Sequence, residues 1–240
     1  MTAGLSGNSG NPVATVGRAR HGGGMRYFTS DTHYGHQNII RYCHRPYTSV
    51  DHMNTDLVNR AAERLQVGDD LWHLGDVALG PLDSTLTHLA RIAVDVTLVA
   101  GNHDRCHPCN GTRGERFVEI YRERCRLADL VLTNTSLTLS NGIEVNVSHF
   151  PYADPTIEGR EDRHGKVITD KFAPWRVVDD GSWLLCGHVH ERWRQRGRMI
   201  NVGVDAWAGR PVSESELIEL IEGGPQDLDL LPWPQRVLQG

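Results

Sequence analysis

Short apolar runs that are followed within three residues by Asp, Asn or His recur five times in the chain, and no other feature constrains the fold as much. Each run has about the length of a buried β-strand. The runs cover 27–30, 71–74, 96–99, 143–147 and 183–186. Asn141-Gly142, a strong two-residue hairpin signal, precedes the fourth. Another strand is predicted over 199–204.

Segments with helical periodicity separate most of these strands. The clearest follows Ser49, an N-cap residue, and has apolar side chains spaced by four, at Met53, Leu57, Ala61 and Leu65. Further helices are predicted over about 82–93, over about 115–125 and from Ser213, where Ser213 and Glu216 form a capping-box pattern. Alternating strands and helices predict one α/β domain with the strands buried between helices.

Composition sets the limits of this domain. Residues 1–24 have almost no large apolar side chains, so we expect a disordered leader. Residues 25–222 contain no linker and form the predicted domain, and 223–240 form a C-terminal tail with three prolines. No apolar run approaches the roughly 18 residues of a membrane span, and the N-terminus lacks a signal-like segment. Five irregularly spaced cysteines suit reduced thiols. We therefore expect a cytoplasmic protein without membrane contact.

Five polar segments directly follow the predicted strands. They are Asp31-Thr32-His33, Gly75-Asp76, Gly101-Asn102-His103-Asp104, Ser148-His149 and Gly187-His188-Val189-His190. Ligands of open α/β sheets bind beyond the carboxyl ends of the strands, so these segments can converge on one site. Imidazole nitrogens with carboxylate and amide oxygens suit borderline divalent metals. The net charge of −5 argues against a protein generally coated with nucleic acid.

In this order the segments match the signature of the calcineurin-like metallophosphoesterases: Asp-x-His, Gly-Asp, Gly-Asn-His-Asp, His and Gly-His-x-His. The match runs from residue 31 to residue 190. Residues 31–40 and 201–205 resemble a bacterial and phage branch of that family. The phosphoprotein phosphatases are a poorer match, because Val77-Ala78 follows Gly75-Asp76 and position 104 is Asp. The resemblance implies a four-layer αββα sandwich of two mixed β-sheets flanked by helices.

The resemblance also implies a ligand set for two divalent cations, with Mn²⁺ expected first and Fe, Zn, Ni, Co or Mg as alternatives. Asp31, His33 and His190 would bind the first metal, and Asn102, His149 and His188 the second. Asp76 would bridge both, together with a water or hydroxide that acts as the nucleophile. His103 would face the phosphate and help stabilise the leaving oxygen or the transition-state charge, and Asp104 would orient His103.

The function implied is hydrolysis of a phosphate monoester or diester, with a small nucleotide-type substrate preferred. A nuclease using the same site is one alternative, which makes nucleic acid a second possible partner. A non-catalytic interaction module on the same fold is another.

Several further residues have two interpretations each. His36 either contacts substrate or packs against the first loop, and His73 is expected to be structural. Cys106-His107-Pro108-Cys109 is either a plain loop or an extra metal or redox site. Two basic groups are either substrate-contacting or merely solvated. They are the alternating Arg192, Arg194, Arg196 and Arg198, and the loop residues Arg160, Arg163, His164 and Lys166.

Overall fold

Twelve β-strands form two sheets in the computed structural model, which describes residues 14–15, 24–153 and 169–233. The strands are β1 (Ala14–Thr15), β2 (Arg26–Thr29), β3 (Asp70–His73), β4 (Asp95–Val99), β5 (Asp129–Val131), β6 (Asn134–Thr138), β7 (Glu144–Ser148), β8 (Trp183–Cys186), β9 (Gln195–Gly197), β10 (Met199–Asn201), β11 (Val212–Ser213) and β12 (Gln226–Leu228).

Six α-helices and four short 3₁₀ helices connect these strands in the described residues. The α-helices are α1 (Gln37–Tyr42), α2 (Val50–Arg64), α3 (Leu82–Thr85), α4 (Thr112–Glu115), α5 (Val118–Cys125) and α6 (Glu214–Glu222). The 3₁₀ helices are Leu86–Arg91, Pro108–Asn110, Ala173–Trp175 and His190–Arg192.

Both sheets are mixed. The five-stranded sheet has the order β11-β2-β3-β4-β5, and β2 to β5 are parallel while β11 is antiparallel to β2. The seven-stranded sheet has the order β1-β6-β7-β8-β10-β9-β12 and a parallel centre of β7, β8 and β10. Parallel neighbours end at the same edge of a sheet, so the segments after β2, β3 and β4 lie side by side.

A hydrophobic core fills the space between the sheets. Phe28 and Leu74 from the small sheet belong to one buried cluster with Val147 and Leu185 from the large sheet, and α6 adds Leu217 to it. A fully buried side chain of this size contributes about 1.5–3 kcal/mol. This core holds the two sheets face to face.

Helices cover the outer face of the small sheet. Leu71 and Leu98 on that face pack in a second cluster with Met53 from α2 and Tyr121 from α5. On the large sheet, Trp193 and Tyr152 belong to a third cluster with residues of β8. The predicted α/β sandwich of two mixed sheets flanked by helices is confirmed.

Two predicted helix starts are found where the sequence places them. The Ser49 side chain accepts a hydrogen bond from the His52 amide at 3.1 Å at the start of α2. Ser213 and Glu216 form the capping box of α6. The helix predicted over 82–93 instead divides into α3 and a 3₁₀ helix. The hydroxyls of Thr85 and Thr87 bond to preceding carbonyls there, which competes with regular helix bonding. The helix predicted over 115–125 divides into α4 and α5.

The ends of the chain are described in part. Of the leader predicted over 1–24, the structure describes 14–15 and Gly24, and β1 pairs with β6; the rest lies outside the described residues. Beyond residue 222, β12 pairs with β9, and Trp233 packs edge-on against Tyr47 at a centroid distance of 5.6 Å. No helix in the described ranges has both the length and the apolar content needed to cross a membrane.

Candidate metal centre

All seven predicted metal ligands meet where the carboxyl edges of the two sheets face each other. The small sheet supplies ligands after β2, β3 and β4, and the large sheet supplies them after β7 and β8. The ligands are Asp31, His33, Asp76, Asn102, His149, His188 and His190. Residues up to 159 positions apart in the sequence are therefore brought to one place by the packing of the sheets.

One group consists of Asp31, His33 and His190. One ligand atom from each lies within 4.8 Å of the others, a spacing that can hold a metal ion. His190 Nε2 is 3.8 Å from Asp31 Oδ1, and the His33 and His190 rings are stacked with centroids 5.1 Å apart. This is the group assigned to the first metal.

The other group contains Asn102, His149 and His188. His149 Nε2 is 3.2 Å from Asn102 Oδ1, and the His149 and His188 ring centroids are 5.2 Å apart. Asp76 Oδ2 lies 3.5 Å from His33 Nε2 and 3.5 Å from His149 Nε2. One carboxylate oxygen of Asp76 thus faces a ligand of each group, the position that a bridging residue needs.

The backbone at the centre is unusual. Eight described non-glycine residues have positive φ, and five of them are predicted ligands: Asp31 (57°), His33 (50°), Asp76 (57°), His188 (70°) and His190 (48°). Such conformations cost of the order of 1–3 kcal/mol each and concentrate at functional sites. Here they turn the side chains back from the strand ends toward one point.

Two glycines of the motifs allow the ligand loops to approach closely. A Cβ added at Gly101 would lie 2.4 Å from Asp76 Oδ1, and one at Gly187 would lie 2.6 Å from Asp31 Oδ2. Both distances are far inside van der Waals contact. A larger residue at either position would displace a ligand carboxylate.

The donor atoms fit a bound cation. Asp31 Oδ1 and both ring nitrogens of His33 are buried without a hydrogen-bond partner among the described residues. An unpaired buried polar atom costs about 1–3 kcal/mol, and a cation ligated by these atoms would remove that cost. Imidazole, carboxylate and amide donors together suit Mn²⁺, Zn²⁺ or Fe²⁺. These His and Asp groups can bind metal.

Electrostatics keep most of the imidazoles neutral. Burial, with the neighbouring His190, lowers the pKa of His33, and burial with His149 lowers the pKa of His188. At His190 burial opposes protonation, but Asp31 and Asp205 outweigh it and raise its pKa to about 9. Burial, followed by the Asp104 and Asp31 carboxylates, raises the pKa of Asp76. A cation at the centre would compensate this crowding of carboxylates.

His103 lies beside the ligands. Its backbone N–H donates to Asp76 Oδ1 at 2.8 Å, and its ring centroid is 5.3 Å from that of His33. Burial, with the nearby His149 and His36, lowers the pKa of His103. The ring lines the open cleft, so it can approach a bound substrate.

The orientation role predicted for Asp104 is corrected by the contacts of its carboxylate. It accepts hydrogen bonds from the backbone N–H groups of Asp76 (2.8 Å), Gly101 (2.8 Å) and Val77 (3.0 Å). These bonds use both of its oxygens, and the Asp104 side chain is completely buried. Asp104 therefore joins the second and third ligand loops instead of orienting the His103 ring.

A cleft of about 720 Å³ opens over the ligands. Its walls include His36, Tyr42, Trp193 and Arg196. The His36 ring lies 5.5 Å from the His33 ring, and contact of His36 with substrate remains a prediction. A larger depression of about 1320 Å³ lies at the opposite edge of the small sheet and contains none of the predicted ligands.

His73 is fully buried, and its Nε2 is 2.9 Å from Thr32 Oγ1, as expected for a structural residue. In the Cys106–Cys109 segment, His107 Nδ1 accepts from the Cys109 N–H at 3.0 Å. The cysteines are all free thiols. These contacts favour a plain loop there.

Of the alternating arginines, only Arg196 lies in a β-strand. Arg192 belongs to a 3₁₀ helix, Arg194 stacks over Trp207, and Arg196 in β9 pairs with Asp227. Strand β9 has three residues, so it does not extend over all four arginines. The basic loop residues Arg160, Arg163, His164 and Lys166 lie outside the described residues.

Sequence reasoning missed two residues that contact the ligands. Asp205 Oδ2 lies 2.9 Å from His190 Nδ1, and Arg45 donates to the backbone carbonyl of Asp31 at 2.7 Å. The only sequence feature that singled out Asp205 was its place in the 201–205 segment of the family resemblance. Arg45 carries no local signal, because its contacts are made across the fold.

No protein-family model matches the chain. It is 33% identical over 219 residues to the Gene 66 protein of Mycobacterium phage D29, covering 82% of this chain and 98% of that protein. The Gene 66 protein of Mycobacterium phage L5 is 31% identical over 206 residues, covering 81% and 93%. A solved structure of the protein of unknown function AQ665 from Aquifex aeolicus matches 82% of this chain and all of that one, with a TM-score of 0.58 and 23% identity, and so supports the fold. At this level of identity and coverage, the chain belongs to the family of the mycobacteriophage Gene 66 proteins.

Proposed function

We propose that the protein is a phosphoesterase that depends on two divalent cations and hydrolyses a phosphate monoester or diester. The observation that supports this most is the position of Asp76, whose Oδ2 is 3.5 Å from a histidine nitrogen of each ligand group. A carboxylate shared by two sets of ligands is what a pair of closely spaced metals requires. Such pairs clamp the attacking and leaving oxygens of a displacement at phosphorus.

Asp31, His33 and His190 would hold one cation, and Asn102, His149 and His188 the other, with Asp76 shared. Mn²⁺ is the cation proposed first, since the donors are nitrogen and oxygen without thiolate. Bound there, the cations would supply Lewis-acid polarisation of the phosphate and activation of water. The protein contributes the positions of the ligands and the shape of the cleft.

His103 is the proposed proton donor to the leaving oxygen. It is not needed as a ligand, its backbone is fixed by Asp76 Oδ1, and its ring lines the cleft. The pKa of His103 is lowered by burial and by neighbouring imidazoles. A phosphate dianion in the cleft would raise it again, because an opposite charge favours the protonated ring. Proton donation would therefore be available when substrate is bound.

The cleft favours a nucleotide-type substrate. Its volume of about 720 Å³ is within the range of small-molecule sites, about 300–1,000 Å³. Tyr42 and Trp193 offer aromatic surface in its walls, while Arg196 offers positive charge. A nucleotide base can stack on these aromatic rings, and a second phosphate can bind Arg196.

A substrate screen of the Mn²⁺-loaded protein tests this proposal. The substrates are aryl phosphate monoesters and diesters, cyclic nucleotides, dinucleotides, and single-stranded DNA and RNA. We expect turnover that requires the cation and is lost in Asp76→Asn, whereas His44→Asn, at an exposed histidine that also has positive φ, keeps it. Protein with two bound cations and no turnover of any of these esters would refute the proposal and favour an interaction module.

A further inference from the structure

Arg45 and Asp205 form an ion pair that is completely shielded from solvent beside the centre, with no exposure of either side chain. Arg45 Nε and one terminal nitrogen donate to the two oxygens of Asp205 at 2.8 and 2.9 Å. Burying two charges costs several kcal/mol per ion unless further hydrogen bonds satisfy them. The remaining contacts of the pair are therefore informative.

Those contacts go to the segments that carry the first group of ligands. Arg45 donates to the carbonyl oxygens of Asp31 at 2.7 Å and Thr32 at 3.0 Å. These carbonyls lie in the segment where Asp31 and His33 both have positive φ. One planar guanidinium thus fixes the backbone from which two ligands project.

Asp205 acts on the third ligand of that group. Its Oδ2 is 2.9 Å from His190 Nδ1, so this nitrogen carries the proton that is donated. His190 Nε2 is then the nitrogen left to face the centre, 3.8 Å from Asp31 Oδ1. A carboxylate behind a ligating histidine fixes its ring and increases its basicity as a ligand.

A different kind of contact orients a ligand of the second group. His149 Nδ1 is 2.7 Å from the backbone carbonyl oxygen of Leu74, a neutral acceptor within the fold of the small sheet. No contact of Arg45 or Asp205 with Asn102, His149 or His188 is found in the described residues. The buried pair therefore contacts the first group directly and reaches the second only through Asp31, whose Oδ2 accepts a hydrogen bond from the His188 N–H at 3.0 Å.

We propose that Arg45 and Asp205 are positioning residues for the first cation alone, and that they hold Asp31, His33 and His190 in ligating geometry. This inference rests on the proposed two-cation function. It predicts that the first site can be weakened more than the second, because the buried ion pair contacts only the first group directly.

Stepwise Mn²⁺ binding tests the inference. Metal-free protein is dialysed to equilibrium against Mn²⁺, and bound metal is counted by atomic absorption. Wild type should bind two ions. Asp205→Asn, which keeps the volume but removes the charge, should weaken one ion by about 10–100-fold and leave the other unchanged. Arg45→Lys should weaken the same ion, because a lysine ammonium cannot make the same forked contacts.

Glu214→Gln is the matched control. It breaks a shielded ion pair with Arg26, at the start of β2 and away from the ligands, where Arg26 Nη1 is 3.0 Å from Glu214 Oε2. It should lower the unfolding midpoint and keep both ions. If Asp205→Asn and Arg45→Lys lose both ions equally, or lose neither, the positioning role is overturned. The proposed function is not affected by that result, provided that the wild type binds two ions. A wild type that binds no Mn²⁺ would overturn both.

Discussion

Replacing Gly101 by alanine should damage the metal centre while leaving the strands intact. The added Cβ would lie 2.4 Å from Asp76 Oδ1, 2.7 Å from the Asp76 amide nitrogen and 2.8 Å from His149 Nδ1. Ordinary contacts of a Cβ begin at 3.4 Å, so the Asp76 carboxylate has to retreat by about 1 Å. Metal and catalytic sites tolerate displacements of about 0.5 Å.

The magnitude follows from what this retreat breaks. Overpacking of a close-packed site costs about 1–3 kcal/mol. The hydrogen bond from the His103 N–H to Asp76 Oδ1, now 2.8 Å long, contributes about 1 kcal/mol more. We therefore expect the free energy of unfolding of the metal-free protein to fall by about 2–4 kcal/mol. Mn²⁺ affinity should fall about tenfold or more, since the shared carboxylate is displaced.

Urea unfolding in the presence of chelator measures the first quantity, and equilibrium dialysis against Mn²⁺ measures the second. Gly223→Ala is the control, because Gly223 has a φ of −66° and an added Cβ would come no closer than 3.3 Å to its neighbours, the flexible end of Gln226 and the Leu220 carbonyl oxygen. The control should keep the wild-type Mn²⁺ affinity, and its free energy of unfolding should stay unchanged or rise by about 0.4–1 kcal/mol. Gly101→Ala with wild-type Mn²⁺ affinity would show that close packing against Asp76 does not define the centre.

Three further predictions concern metal, catalysis and pH. Mn²⁺ at a hundredfold excess over its dissociation constant should stabilise the fold by about 2.7 kcal/mol per site, so melting temperatures with and without chelator should differ; equal values at verified metal removal would contradict a two-cation site. His103→Asn should keep bound Mn²⁺ and lose about 10²–10⁴-fold in turnover, with a smaller loss for nitrophenyl esters than for esters with alkoxide leaving groups; equal losses in assays of both esters would exclude the proton-donor role. Burial lowers the pKa of His73 from 6.5 to about 3 in the folded protein. As pH falls below 6.5, the unfolded chain therefore binds a proton that the folded protein does not bind, and the folded state loses stability from pH 6.5 down to about pH 3. In chelator, His73→Gln should reduce the slope of unfolding free energy against pH by about 1.4 kcal/mol per pH unit in that window, and an unchanged slope would show that His73 is not held neutral.

The sequence was sufficient to bring the five polar segments to one place, because each predicted ligand follows a strand within four residues, whereas the set of seven ligands was implied by the family resemblance. Asp31 comes two residues after β2 and Asp76 three residues after β3, so a local pattern predicted both the strand and its polar end. Parallel pairing of β2, β3 and β4 then places these ends side by side. Facing of the two sheets, which brings His149 and His188 to the same point, was implied by the family resemblance and not by periodicity.

Side-chain direction was not predictable in the same way. Asp104 follows His103 in the motif, yet the Asp104 carboxylate accepts hydrogen bonds from backbone amides on two different loops. Arg194 stacks over Trp207 and Arg192 lies in a 3₁₀ helix, so the regular spacing of the arginines in the sequence does not correspond to one strand. Such outcomes depend on tertiary neighbours that a local pattern does not contain.

Two kinds of contact therefore build the centre, and only one of them is made within the sequence motifs. Backbone hydrogen bonds between adjacent loops, such as Asp31 N to Gly75 O and Gly187 N to His149 O, both 3.0 Å, fix where each ligand projects from the chain. Contacts from outside the motifs fix which nitrogen of a histidine faces the centre, and the bond of Asp205 to His190 is the example with a charged partner. Since a ligand needs both a position and an orientation, we expect that a chain can keep every motif residue and still lose one of the two proposed cations through a change at Asp205 or Arg45.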